Sequence, residues 1–321
     1  MFNALDPAAV VAAAERLRPV IRRTPLVHSP ALSAIAGGPT WLKLETGQLT
    51  GSFKVRGAYN ALARLAPDVR ARGVVASSAG NHGLGVAHAA RSLGIAATIF
   101  VPATAPAVKR EGIARLGATL DTSQPHYDAA MDAARAFAAE SGATFINPCL
   151  GDDLIAGQGT VGLEILEDLP DAGTIIIPVG GGGLLGGVGS YVRRASPETR
   201  LHGAQSDRTA AMARSLEAGR VVEIAVEPTL ADGLAGQIDE AALDIGRHAL
   251  DGIATVTEDA IAHAIAWLVR EHDVRAEGSG AVGVAALLAR AVTIARFPAT
   301  VIVSGGNIDA EKLERIVTLH S

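Results

Sequence analysis

The sequence predicts an α/β fold of two domains, both built on mostly parallel sheets flanked by helices. Three observations predict it. Short apolar runs rich in Val, Ile and Thr alternate with longer amphipathic runs, as strands and their covering helices do in parallel sheets. Glycine-rich turns punctuate that alternation, with 36 glycines in 321 residues. Hydrophobic residues make up 49% of the chain and charged ones only 19%, which is apolar matter enough for more than one core.

The elements follow in order. Asp6-Pro7 pairs an N-cap with proline at the first helical position and predicts a helix from Pro7 to Val20. Trp41 to Glu45 alternates as a strand, and Lys54 to Leu65 carries a helical pattern. Strands are expected at Val74 to Ala76, Ala97 to Val101, Ala118 to Asp121 and Thr144 to Asn147, with helices at Asn81 to Leu93, Pro106 to Leu116 and His126 to Glu140 between them. After the break at Asn147-Pro148 come a helix from Leu154 to Leu169, a buried strand from Thr174 to Val179, a helix from Leu184 to Arg194 and a strand from Arg200 to Gln205. Helices at Ala260 to Arg270 and Ala281 to Ala295, a strand at Thr300 to Val303 and a helix from Asp309 to Leu319 close the chain. Val221 to Ala249 shows no regular pattern.

Several function classes are disfavoured. The net charge is -5 and no Lys/Arg block stands out, so no nucleic-acid partner is expected. The single cysteine, Cys149, allows no disulfide within the chain. No apolar run reaches the length of a membrane helix, and the N-terminus lacks the basic and apolar segments of a signal peptide. A cytoplasmic protein with small-molecule partners is the expectation.

Open α/β sheets bind ligands beyond the carboxyl ends of their strands, so the turns that follow strands matter most. Four are unusual. Thr50 to Ala58 puts Lys54 at the start of a helix, where the partly positive N-terminus disfavours an ammonium and suits a lysine acting as an amine. Alone, this is more often a surface lysine beside a turn. Ser77 to Gly83 offers backbone N–H groups to an anion such as a carboxylate, or is simply a capped turn. Gly180-Gly181-Gly182-Gly183-Leu184 lets the backbone wrap closely around a phosphate at a helix N-terminus. Ser304-Gly305-Gly306-Asn307 ends the last apolar strand and sets Ser304 at the same crevice. A rival reading lies in Gly181-x-Gly183-x-x-Gly186 with Asp207 some twenty residues on, the pattern of a dinucleotide site and hence of an NAD-dependent oxidoreductase. It leaves the other three turns unexplained.

Taken together and in order, the four turns resemble the serine/threonine dehydratase family of fold-type-II pyridoxal-phosphate enzymes. The blocks that carry the likeness are KLETGQLTGSFKVRGAYNAL, SSAGNHGLGVAHAA, IAGQGTVGLEI, PVGGGGLLGGV, ADG at Ala231 to Gly233, EGSGAVGVAALL and SGGNID. They run from Thr24 to Asp309, nearly the whole chain. The resemblance implies pyridoxal 5′-phosphate as cofactor, held by Lys54 as a Schiff base. It implies that Phe53 packs on the pyridine ring, Asn81 bonds the ring's 3′-oxygen, Gly180, Gly181, Gly182, Gly183 and the N–H of Leu184 bind the phosphate, and Ser304 meets the ring nitrogen. Glu277 is expected to line the pocket, and Ser78, Ala79, Gly80, Asn81 and His82 to take the substrate carboxylate. Lys54 is the implied base at Cα. A serine at the ring nitrogen, instead of a carboxylate, makes a weaker electron sink and favours elimination over transamination.

The implied reaction is dehydration and deamination of a small β-hydroxy amino acid, L-threonine and/or L-serine, to a 2-oxo acid and ammonia. Other β-hydroxy substrates, such as 3-hydroxyaspartate or phenylserine, and amino acid racemisation are the alternatives. Relatives that racemise serine place an acid/base serine where this chain has Ala79, which disfavours racemisation. Relatives with a divalent cation carry acidic ligands where Gln205 and Ala211 stand, unless Asp207 substitutes, so no metal is expected. Gly278 replaces a family proline, which is expected to loosen the loop after Glu277. No regulatory domain follows SGGNID, pointing to a catabolic or specialised role. The expected division is a large cofactor-binding domain at 1–69 and 149–321 and a small inserted domain at 70–148. A homo-oligomer, dimer or tetramer, completes the expectation, with Arg56, His82 and His126 near the motifs but unassigned.

Overall fold

The computed structural model describes residues 5–105, 107–225 and 227–320. Among the described residues ten strands form two sheets: β1 (Leu26–His28), β2 (Thr40–Leu44), β3 (Val74–Ser77), β4 (Ala97–Phe100), β5 (Thr119–Asp121), β6 (Thr144–Phe145), β7 (Thr174–Pro178), β8 (Arg200–Ser206), β9 (Gly252–Val256) and β10 (Ala299–Val303). The six-stranded sheet has the order β1-β2-β10-β7-β8-β9, the four-stranded one β5-β4-β3-β6. All neighbours are parallel except β1 and β2. The α/β class with parallel-dominated, helix-flanked sheets is therefore the observed one.

The apolar run of β7 has a simple cause. Ile175 and Ile177 enter the core on one face, and Ile176 enters a second core on the other. Ile302 and its neighbours Val301 and Val303 divide in the same way. Strands covered on both faces need no polar alternation. The helix Lys54–Arg64 lies between the sheets and packs on the helices Asn81–Leu93 and Asp152–Asp168. Glycines allow this. A Cβ on Gly157 would stand 2.6 Å from the Arg56 carbonyl oxygen, and one on Gly85 would stand 3.2 Å from the Lys54 backbone.

Differences from the sequence reading have local reasons. The first helix stops at Leu17, short of Val20. The helix expected from Ala281 to Ala295 covers Gly278–Leu288, because Arg290 turns into the left-handed region and the N–H groups of Ala291 and Val292 fold back to the Ala286 carbonyl. Asp239 caps a helix, Glu240–Ala249, inside the stretch that showed no pattern. The strands β1 and β9 and the helices Pro30–Ala36 and Ala211–Ala218 had no expectation at all. Pro106, the expected start of one helix, lies outside the described residues; that helix covers Ala107–Ala114. Among the described residues no helix is long and apolar enough to cross a membrane.

Candidate active site

The four turns meet at the carboxyl ends of the strands. The Lys54 turn and the Ser304 turn are laced together along their backbones. The Phe53 N–H donates to the Ser304 carbonyl (3.1 Å), Ser52 forms an antiparallel bridge with Gly305, and the Gly306 N–H donates to the Gly51 carbonyl (2.9 Å). Gly51 has φ +71°, and a Cβ there would collide with Asn307 Oδ1. Lys54 is thus fixed at the first position of its helix by the end of β10. Its Nζ donates to the Pro148 carbonyl (2.8 Å) and lies 5.3 Å from the Phe53 ring centroid.

The Ser77–Gly83 turn joins through Asn81. Asn81 Nδ2 donates to Glu277 Oε1 and Asn307 Nδ2 donates to Asn81 Oδ1, both at 2.6 Å. Glu277 is itself held by its N–H on the Gly305 carbonyl (3.1 Å). Burial pushes the Glu277 carboxyl up to about 7, against the bond from Asn81, which favours the charged form. Ser78 Oγ accepts from the Gly80 N–H, leaving Ser78, Ala79 and Gly80 half-buried at the rim.

The glycine turn rests on the chain just beyond Pro148. A Cβ on Gly181 would stand 2.6 Å from Cys149 Sγ, one on Gly183 3.0 Å from Cys149 Cα, and one on Gly180 3.0 Å from Leu234 Cα. Gly182 has φ +89° and caps the helix Gly183–Ala195, whose first N–H groups lack intrahelical partners. Asn147 Oδ1 accepts from the N–H groups of Cys149 and Leu150 and so shapes that support. Ser304 is buried, its Oγ 3.4 Å from the Ser279 carbonyl oxygen. The hydroxyls of Thr50, Ser52 and Ser77 are buried without a protein partner.

These residues fit a phosphorylated, planar, amine-reactive group: a side-chain-free cradle at a helix N-terminus, an amine beside an aromatic face, and a hydroxyl at a strand end. A plain turn would not require glycine at positions packed this closely against Cys149 and Leu234.

Other residues fall elsewhere. His82 is buried, and its Nε2 donates to the Ile146 carbonyl (2.9 Å). Burial, with the Lys54 ammonium nearby, lowers its imidazole to about 3. Its side chain packs against the protein; its backbone alone remains on the loop. Arg56 is fully buried in a charge cluster with Glu45, Glu164 and Lys43 that binds β2 to two helices. His126 caps the helix Tyr127–Ser141. Gln205 Oε1 accepts from the Ala213 N–H (2.9 Å) and its Nε2 lies 3.3 Å from the Thr209 carbonyl oxygen, so its amide occupies this turn; Asp207 is exposed. The Gly278 loop is tight, contrary to the expected loosening. A Cβ on Gly278 would collide with the Leu230 carbonyl oxygen, and Ser279 Oγ accepts from the Gly233 N–H (2.8 Å). Sequence reasoning assigned no role to Pro148, Cys149, Ser279 or Asn307. Asn307 and Ser279 left a signal, each standing in a quoted motif, whereas Pro148 and Cys149 act through backbone or packing.

Residues 17–305 match the family described as pyridoxal-phosphate dependent enzymes. The L-threonine ammonia-lyase of Thermotoga maritima is 43% identical over 302 residues, covering 94% of this chain and 75% of the relative. Among solved structures, maize serine racemase superposes with a TM-score of 0.93 at 33% identity, covering 99% of this chain and 98% of that one. The processed threonine deaminase isoform 2 of Solanum lycopersicum gives 0.90 at 31% identity, covering 99% and 95%.

Proposed function

The chain belongs to the family of pyridoxal-phosphate dependent enzymes, and on that footing we propose that it dehydrates and deaminates L-threonine and/or L-serine to a 2-oxo acid and ammonia. Its relatives named as threonine ammonia-lyase and threonine deaminase support the reaction. The observation that carries the reading is the lacing of the Lys54 turn to the Ser304 turn, which brings an amine and a neutral hydroxyl to one cleft. The family membership displaces the nicotinamide reading.

Pyridoxal phosphate, when bound, supplies the electron sink that acidifies the amino acid's Cα–H. The chain's own residues do the rest. Gly180 to Gly183 and the Leu184 N–H hold the phosphate, Phe53 supports the ring, Asn81 meets the 3′-oxygen, and Ser304 meets the ring nitrogen. Lys54 would hold the cofactor, and its Nζ is the base that would take the Cα proton. The Ser78–Gly80 backbone, with the N–H groups of Asn81 and His82, binds the carboxylate. Glu277 stays at the pocket wall through Asn81. Overall the Cα proton and the β-hydroxyl leave as water, and a water molecule then hydrolyses the released enamine, as its imine tautomer, to the 2-oxo acid and ammonia. We read residues 70–148 as a small domain that closes on the rest to exclude water, and the whole as a cytoplasmic homo-oligomer.

A panel of β-hydroxy amino acids, assayed for 2-oxo acid and ammonia, tests the proposal. Turnover of threonine or serine is expected; turnover confined to 3-hydroxyaspartate or phenylserine would replace the substrate, and none at all would sink the reaction. The likeness to maize serine racemase favours a second reading. Ala79 weighs against it, and chiral analysis of residual serine is expected to show no inversion.

A further inference from the structure

We propose that Asn307 is a positioning residue that sets which end of the Asn81 amide faces the cofactor. The inference rests on reading this cleft as the pyridoxal-phosphate site. An asparagine amide is nearly symmetric in shape, but one end only accepts and the other only donates. Something must decide which way it lies.

The decision starts at a backbone atom. The Thr50 carbonyl can only accept, and Asn307 Nδ2 lies 2.8 Å from it. The amide end of Asn307 therefore faces Thr50. The same nitrogen lies 2.6 Å from Asn81, which must then present Oδ1. Asn81 Nδ2 is turned to the opposite side, where Glu277 Oε1 accepts one hydrogen at 2.6 Å. The second Nδ2 hydrogen remains for the cofactor's ring oxygen. With the amide reversed, two NH₂ groups would face each other on one side and two oxygens on the other. Glu277 alone is a weaker guide, because its carboxyl sits at about 7 and gains a donor of its own when protonated. A peptide carbonyl does not titrate.

The seat for Asn307 is built into the backbone. Gly51, at φ +71°, leaves the space that a Cβ would take from Asn307 Oδ1. The relay also spans the cleft: Asn81 opens a helix of the small sheet's layer, whereas Thr50 and Asn307 follow β2 and β10 of the large sheet.

The test uses holoenzyme carrying Asn307→Ala or Asn307→Asp, each in the wild-type and the Asn81→Ala background. Pyridoxal-phosphate dissociation constants and visible absorption spectra are read for all. In the wild-type background either substitution is expected to weaken cofactor binding roughly 3- to 10-fold, the scale of a lost hydrogen bond, and to shift the visible band. In the Asn81→Ala background the further change should be less than about 2-fold with no further shift, because residues acting as a unit are not additive. The near-isosteric Asn307→Asp keeps the test alive if Asn307→Ala does not fold. Equal losses in both backgrounds, or an Asn307→Asp protein with wild-type affinity and spectrum, would overturn this inference alone. A wild-type protein that takes up no pyridoxal phosphate would overturn the reading of the cleft as well.

Discussion

Lys54 Nζ lies 2.8 Å from the carbonyl oxygen of Pro148, so the amine is anchored on the segment that returns from the four-stranded sheet to the six-stranded one. Its partner is a backbone atom, which fixes where the end of the side chain lies. Lys54→Ala is expected to abolish the borohydride-sensitive visible absorption of the bound cofactor and to lower turnover by at least ~10²-fold, the usual worth of a positioned base. Retained turnover would refute the role given to Lys54.

The glycine turn predicts a pair of unlike outcomes. Gly181→Ala drives a methyl into Cys149 Sγ, and Gly183→Ala drives one into the Cys149 backbone. Both should weaken pyridoxal-phosphate binding by ~10-fold or more, since overpacking costs about 1–3 kcal/mol. Adding Cys149→Ala should restore much of the loss for Gly181→Ala and little for Gly183→Ala. Equal rescue of both, measured by cofactor titration, would mean that Cys149 does not support the turn as described.

Glu277 ties stability to pH. Its folded carboxyl is raised to about 7 from an ordinary 4.5, chiefly by burial. A raised acid favours folding fully below its unfolded pKa, and that favour is lost as pH climbs from about 4.5 to about 7. The loss is of order 3 kcal/mol. Glu277→Gln does not titrate and can still accept from Asn81. Compared with the wild type, it should gain stability between about pH 5 and about pH 8. Urea midpoints at both pH values check this; parallel behaviour of the two proteins would contradict it.

The buried cluster around Arg56 predicts a stability defect and no direct catalytic one. Arg56→Met leaves Glu164 buried with Lys43 and takes from the buried Glu45 the guanidinium it pairs with. The expected cost is ~3–5 kcal/mol, read as a lower urea midpoint. Arg56→Lys should recover little, because a point charge cannot bridge two carboxylates as a planar fork does.

How much of this was legible beforehand differs by element. Strands covered on both faces announced themselves: the continuous apolar run of β7 exists because Ile175, Ile176 and Ile177 feed two cores. β1 and β9 lie at the edges of the large sheet, where less burial demands less pattern. Lys54, Asn81 and Ser304 stood out because each sits in a turn whose composition is unusual. Pro148 contributes only a carbonyl, and Cys149 only bulk behind a glycine; neither function constrains residue type enough to show in one sequence. Arg56 shows the converse. It lies two residues from Lys54 and the sequence assigned it no role; its full burial among Glu45, Glu164 and Lys43 makes it structural.

The position of β10 has a consequence for how the molecule comes into being. It is the last strand in chain order, yet it lies between β2 and β7 in the middle of the large sheet. Until it emerges during synthesis, β2 and β7 have no neighbour on their facing edges, and the Lys54 turn has nothing to lace to. Such long-range closure is slow and leaves apolar edges exposed meanwhile. A nascent chain halted before Ala299 should therefore neither bind cofactor nor stay out of aggregates, and competence should arrive only once β10 can insert between its neighbours.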